Sequence, residues 1–225
     1  MKDFNEYFDH TILKADATED DIIKLCEEAK QYSFYAICVN ACYAALAKKH
    51  LKGSTVKLAC VIGFPLGACG TEPKIFETEW ACLQGAEEID MVIAVGALKD
   101  GKIDFVKEEI QKVVVAASTY NATVKVILET CLLSDKEVIT ACRLAREAGA
   151  AFVKTSTGFS ADGASVHHVA LMKKEVGDTM QVKASGGIRT LEKTMKLIEA
   201  GADRIGASAS VSIMKEKHES DSLLK

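Results

Sequence analysis

The sequence predicts an α/β fold closed into a (β/α)8 barrel, and three observations carry the prediction. Short runs rich in Val and Ile alternate with amphipathic stretches of helical period, the pattern of βα units around a parallel sheet. Eight such runs follow one another in 225 residues, with no Pro-, Gly- or Ser-rich linker and with Pro65 and Pro73 as the only prolines. An uninterrupted eightfold alternation favours a closed barrel over an open doubly wound sheet. One domain over residues 1–225 is expected, with a polar tail from about residue 214.

The strands are expected at residues 7–13, 34–39, 56–62, 88–94, 123–129, 151–155, 180–185 and 203–206. The first is the weakest, because "DHT" interrupts its apolar pattern. Helical periodicity falls over residues 18–32, 72–84, 103–118, 135–148 and 190–200, and the endings "REAGA" and "IEAGA" place Gly149 and Gly201 as left-handed helix caps. Eight strands and eight helices fit this length only if the loops are short.

Composition narrows the function classes. The chain is 48% apolar and carries a net charge of -4 with both signs interspersed, so it lacks the basic footprint of a nucleic-acid binder. Residues 1–10 lack the apolar core of a signal peptide, and the longest apolar-rich stretch, residues 58–69, contains Pro65 and is shorter than the ~20 residues of a membrane span. A cytoplasmic protein with no nucleic-acid or membrane partner is expected. The eight cysteines sit mostly within apolar helix or strand patterns, which argues for reduced thiols, and the sequon at Asn121 is then an accident.

In a barrel of this kind, function gathers at the C-terminal ends of the strands and in the loops that follow them. That rule selects Asp9 and Thr11, Cys38 and Asn40, Asp90, Glu129, Lys154, Lys183, and Gly206 with Ser208. Lys154 and Lys183 stand in matching contexts, "FVKTS" and "QVKAS", on consecutive strands about 5 Å apart. A neighbouring like charge and desolvation both disfavour an ammonium, leaving an amine able to attack a carbonyl as a Schiff-base nucleophile. These residues do not reveal which lysine is the nucleophile, and both could instead be rim lysines paired with Asp90 or Glu129. Asp90 interrupts the apolar "EEIDMVIAV" and needs a cationic partner, either as a structural ion pair or as a proton relay.

"SGGIRT" and "GASAS" follow the last two strands, where barrel loops and a helix N-terminus commonly form a phosphate site, with Arg189 as an added cation; two ordinary turns are the alternative. "GALKDGKI" lacks the hydroxyl residue of a P-loop, since Ile103 occupies that position. Cys38 and Cys42 have helix-face spacing without a second metal-spaced pair. His167 and His168 are expected mid-helix, with His10, His50 and His218 scattered, so no metal site or other cofactor is expected.

Taken together, "DHTILKADAT", "CVN", "VIGFPLGACGTEPKIFE", "EIDMVIAVGALKDG", "VKVILET", "FVKTSTGF" and "VKASGGIRT" resemble the deoxyribose-phosphate aldolases, class I aldolases with a TIM-barrel fold. The resemblance extends to about residue 213. It implies Lys154 as the Schiff-base lysine, Lys183 as the lysine that keeps its amine neutral, and Asp90 as the proton-relaying acid. It also implies that Cys38 lies near the substrate and that Thr157, Gly158, Gly186, Gly187, Gly206 and Ser208 contact phosphate. The implied reaction cleaves 2-deoxy-D-ribose 5-phosphate in deoxyribonucleoside catabolism, without a cofactor and in a homodimer. The pattern is departed from at Ala41 (often proline), Phe159 (lysine in some members), Ala209 (often a second serine) and the ending "DSLLK", which lacks a terminal tyrosine. A barrel isomerase, another Schiff-base enzyme or a non-catalytic phosphosugar-binding barrel are the competing classes.

Overall fold

The computed structural model describes residues 2–223. Eight parallel strands close into a barrel in sequential order, β1 pairing with both β2 and β8. The strands are β1 (Phe8–Ile12), β2 (Ala36–Asn40), β3 (Lys57–Ile62), β4 (Glu88–Val92), β5 (Thr123–Ile127), β6 (Phe152–Lys154), β7 (Gln181–Ser185) and β8 (Arg204–Ala207). The helices are α1 (Glu19–Gln31), α2 (Ala44–His50), α3 (Thr71–Leu83), α4 (Val95–Lys99), α5 (Ile103–Ser118), α6 (Asp135–Glu147), α7 (Val166–Val176), α8 (Leu191–Glu199) and α9 (Ser210–Leu223). None of the described helices is long and apolar enough to cross a membrane.

Local chemistry explains the boundaries. Thr18 accepts from the Asp21 amide while the Asp21 carboxylate accepts from the Thr18 amide, a reciprocal cap that starts α1. Ser134 and Glu137 repeat it at α6, and Ser165 and Thr190 cap α7 and α8. A large apolar layer, including Ile37, Leu58, Met91, Val113 and Val169, fills the space between the sheet and the helices.

Several expectations are corrected. "DHT" does not break the first strand: all three residues lie in β1, and Asp9 is fully buried because cations inside the barrel receive it. The sheet ends at Ile127, two residues before Glu129, whose backbone takes the left-handed conformation at φ 56°. Gly206 lies within β8 rather than after it. The expected tail from residue 214 continues α9 through Leu223; Leu224 and Lys225 of "DSLLK" lie outside the described residues.

The interior of the barrel is divided. Towards β2 and β3 it is apolar, with Leu13, Cys38, Ala59 and Val61 packed together against Phe64. Towards β4 through β8, and at β1, it is charged. Strand geometry explains how: residues two apart share a face, so Glu88 and Asp90 both project inward from β4. Register aligns Asp90 with Lys125, and Lys154 with Lys183 and then Arg204.

Candidate active site

Asp90 is the centre of the charged half. Its Oδ2 accepts from Lys154 Nζ at 2.8 Å and from Lys183 Nζ at 2.8 Å, and the Cys38 thiol donates to the same oxygen at 3.8 Å. Its Oδ1 accepts from Lys125 Nζ at 2.8 Å. Asp90, Lys125 and Lys183 are fully buried, and Lys154 is 2% exposed. Neither Lys154 nor Lys183 is therefore a rim residue, and neither pairs with Glu129, which instead accepts from the Thr157 amide and hydroxyl.

Around this centre, Lys183 Nζ also donates to Asp9 Oδ2 at 2.5 Å, and Arg204 Nη1 donates to Asp9 Oδ1 at 2.8 Å. Lys125 Nζ donates to Glu88 Oε2 at 2.5 Å, and Arg204 approaches the same oxygen at 3.6 Å. Arg204 stacks on Tyr35, its guanidinium carbon 3.6 Å from the ring centroid. Desolvation alone would raise the Asp90 carboxyl, but Lys125, Lys154 and Lys183 outweigh it and hold the group well below the usual carboxylate range. Asp9 is lowered too: Lys183, Arg204 and Lys125 overcome its desolvation.

Lys183 corrects the expectation drawn from two adjacent lysines. Burial does act to lower it, yet Asp9 and Asp90 on either side overcome burial and raise it, so Lys183 is an ammonium. The direction follows from interleaving: carboxylates stand between the cations, which the spacing "FVKTS"/"QVKAS" does not reveal. Burial, and then Asp90, push the Cys38 thiol up to about 11, so Cys38 is neutral.

Above Lys154 lies a cavity of about 330 Å3 at the C-terminal face of the barrel. Thr157, Gly158, Gly186, Gly187, Gly206 and Ser208 all line it, together with Arg189. Its walls depend on missing side chains. A Cβ at Gly206 would sit 2.3 Å from Ser185 Oγ and 3.0 Å from Lys183 Cε. One at Gly186, where φ is 91°, would sit 2.9 Å from the Gly163 Cα. The loops after β6 and β7 are clasped there, the Ala164 amide donating to the Gly186 carbonyl at 3.0 Å.

Sequence reasoning missed Lys125, Glu88 and Arg204, and it missed Lys14 and Ser185 in the cavity wall. The Ser185 hydroxyl is buried without a partner among the described residues, leaving a hydrogen-bonding group for a ligand. Where some members of the resembled family place a lysine, Phe159 packs edge-on against Phe64 at 5.3 Å and is 54% exposed.

His167 and His168 are not mid-helix but in the first turn of α7. His167 Nε2 meets Asp135 Oδ1 at 2.9 Å, and a ligand atom of His168 lies within 4.8 Å of both partners. This group, with Asp135 and His167 exposed and His168 half-buried, lies outside the cavity. Cys42 and Cys69 are exposed, Cys131 is partly buried, and the other five cysteines are buried.

A closed parallel barrel holding a buried lysine against a shared carboxylate, below an open cavity, has the arrangement of a Schiff-base aldolase. The profile described as DeoC/LacD family aldolase matches residues 5–215, and the chain belongs to that family. It is 58% identical to a deoxyribose-phosphate aldolase of Thermococcus gammatolerans over 95% of this chain and 96% of the relative. It is 56% identical to one of Clostridium novyi over 94% and 95%. A deoxyribose phosphate aldolase structure from Aeropyrum pernix, described as a unique tetramer, superimposes with a TM-score of 0.90 at 35% identity, covering 95% of this chain and 90% of that one.

Proposed function

We propose that the protein is a class I aldolase that reversibly cleaves 2-deoxy-D-ribose 5-phosphate to D-glyceraldehyde 3-phosphate and acetaldehyde, in cytoplasmic deoxyribonucleoside catabolism. The observation that carries the reading is Asp90 Oδ2, shared by Lys154 and Lys183 at 2.8 Å each, beneath a cavity that reaches Lys154. Lys154 Nζ adds to the C1 aldehyde of the open-chain sugar, and loss of water leaves an iminium. Asp90, with Lys183 and an intervening water, takes the proton from the C3 hydroxyl as the C2–C3 bond breaks. The bonding pair flows into the iminium, glyceraldehyde 3-phosphate leaves, and the enamine is protonated at C2 and hydrolysed to acetaldehyde. A carboxyl held as low as Asp90 is a relay for that proton and not its resting place.

The phosphate is assigned to the backbone of Gly158, Gly186, Gly187 and Gly206, with Thr157, Ser208 and Arg189 alongside, near the start of α9. Cys38, on Asp90, borders the reacting carbons as a neutral thiol. The steps draw on side chains and water. A homodimer is the expected assembly, to be checked by light scattering on the eluting protein.

The deciding experiment is borohydride reduction in the presence of acetaldehyde or 2-deoxyribose 5-phosphate, followed by peptide mass mapping. A reduced adduct on Lys154 is expected. An adduct on Lys183 would reverse the two lysine roles, and a folded protein with no adduct would point to an isomerase or a binding barrel.

A further inference from the structure

The aldolase reading uses Lys154, Lys183 and Asp90 but leaves Glu88, Lys125 and Arg204 without a task. Their burial calls for a reason, because charges removed from water carry a large desolvation penalty unless well compensated. Lys125 has no exposed surface, and Arg204 and Glu88 are 3% and 5% exposed. Lys125 pairs with the catalytic Asp90, Arg204 pairs with Asp9 beside it, and both meet Glu88.

Counting charges gives the reason. The ion-paired cluster contains three carboxylates, Asp9, Glu88 and Asp90, and three cations other than Lys154, namely Lys125, Lys183 and Arg204. It is neutral with Lys154 as an amine and carries one positive charge with Lys154 as an ammonium. We propose that Glu88, Lys125 and Arg204 are positioning residues that close the charge balance beneath Lys154, making the neutral amine the form the barrel interior accommodates. The inference rests on the Schiff-base reading above.

The other charged groups near Lys154 stand outside the ion-paired cluster and do not change between variants: Lys14 and Arg189 line the cavity above it in every one compared below. Cys38 on β2 is a neutral thiol, and β3 contributes apolar Ala59 and Val61. Glu129, after β5, is turned to Thr157 and makes no ion pair among the described residues; its charge is common to every variant compared below. The same balance acts on the iminium. That cation is the uncompensated charge of the site, and moving the C2–C3 electron pair into it, with the C3 hydroxyl proton passing to Asp90, leaves a neutral enamine. Lys125 also occupies Asp90 Oδ1, which directs Oδ2 to both Lys154 and Lys183.

The test is the pH midpoint of borohydride trapping of acetaldehyde at Lys154, read by peptide mapping in the full-length protein. Lys125→Met removes a cation, and its midpoint is expected to rise by about one pH unit or more. Glu88→Gln removes an anion and should lower it. The double variant should return close to the unsubstituted protein, and Lys125→Arg should leave the midpoint in place. A purely structural role would reduce melting temperature without opposed shifts. Glu88→Gln, nearly isosteric, decides the matter should Lys125→Met not fold. Trapping at Lys154 with unmoved midpoints, or with both single variants shifting the same way, overturns this inference alone. Absence of any Lys154 adduct in the unsubstituted protein overturns the aldolase reading and this inference with it.

Discussion

Lys74 and Lys154 are both buried against carboxylates, and of the two only Lys154 is given the nucleophile's chemistry. Lys74 on α3 has no exposed side chain; its Nζ meets Glu109 Oε2 at 2.8 Å and donates to the Val92 carbonyl at 2.9 Å, while Glu109 also accepts from the Ala94 amide. That pair is sealed between α3, α5 and the end of β4, and it fastens the chain where β4 gives way to α4. Lys154 has an equally close carboxylate, but shares it with other cations and opens to a cavity. Burial and ion pairing alone therefore do not mark a reactive lysine. Access, and competition for the same carboxylate, make the difference.

Substituting the two lysines should separate these roles most sharply. Lys154→Leu is expected to reduce cleavage to background with the circular dichroism spectrum unchanged; turnover in the purified variant would sink the nucleophile assignment. Lys74→Met should do the reverse, leaving kcat largely intact while costing about 3–5 kcal/mol in denaturant unfolding, because Glu109 is left buried and unpaired. A Lys74 variant that keeps its stability but loses activity would erase the distinction.

A smaller effect is expected at the cavity wall. Gly186→Ala pushes a Cβ against Gly163 and should raise KM for the phosphorylated sugar about tenfold or more, with a lesser effect on unphosphorylated deoxyribose. Equal losses on both substrates would show that the glycine serves the fold and not the phosphate.

The smallest effects lie far from both lysines. Thr18→Ala should cost about 1 kcal/mol through the lost cap, read by thermal or urea unfolding, with kcat unchanged. Burial lowers His10 below the ordinary histidine value in spite of its bond to Glu28. A group depressed in the folded state contributes stability above its unfolded pKa of about 6.5, and that contribution is lost as pH falls from there through its folded value. Asp9 and Asp90 lose theirs in a separate, more acidic window, starting near the ordinary carboxylate pKa of about 3.9. His10→Gln should flatten the unfolding free energy in the upper window alone, which a pH series of urea titrations would read.

The sequence made the barrel legible because each strand is an apolar run and each helix has its period. Lys154, Lys183 and Asp90 were legible for the same reason, as charges that interrupt or finish such runs. Glu88 and Arg204 were hidden because a charged residue at the start of a strand looks like an ordinary solvated edge, whereas Lys125 interrupts "TVKVI" just as Asp90 interrupts the strand beside it. Only closure of the barrel turns those starts inward onto one another. The run "IMKEKHES" reads as a tail because charges dominate it, yet its first two residues, Ile213 and Met214, are buried on the inner face of α9. The start of α7 was hidden behind the loop after β6, whose Gly158 and Gly163 carry no helical signal.

Strand residues hold the charges, whereas much of the cavity wall is supplied by the segments beyond the strand ends. Lys14, Phe159, Arg189 and Ser208 belong to that outer wall, and none of them takes part in the ion-paired cluster around Asp90. The enzyme is thus built as a fixed reactor with an interchangeable inlet. Recutting the inlet for new acceptor aldehydes leaves the proton inventory of the reactor untouched, so substrate range and reaction chemistry can diverge independently on this one frame.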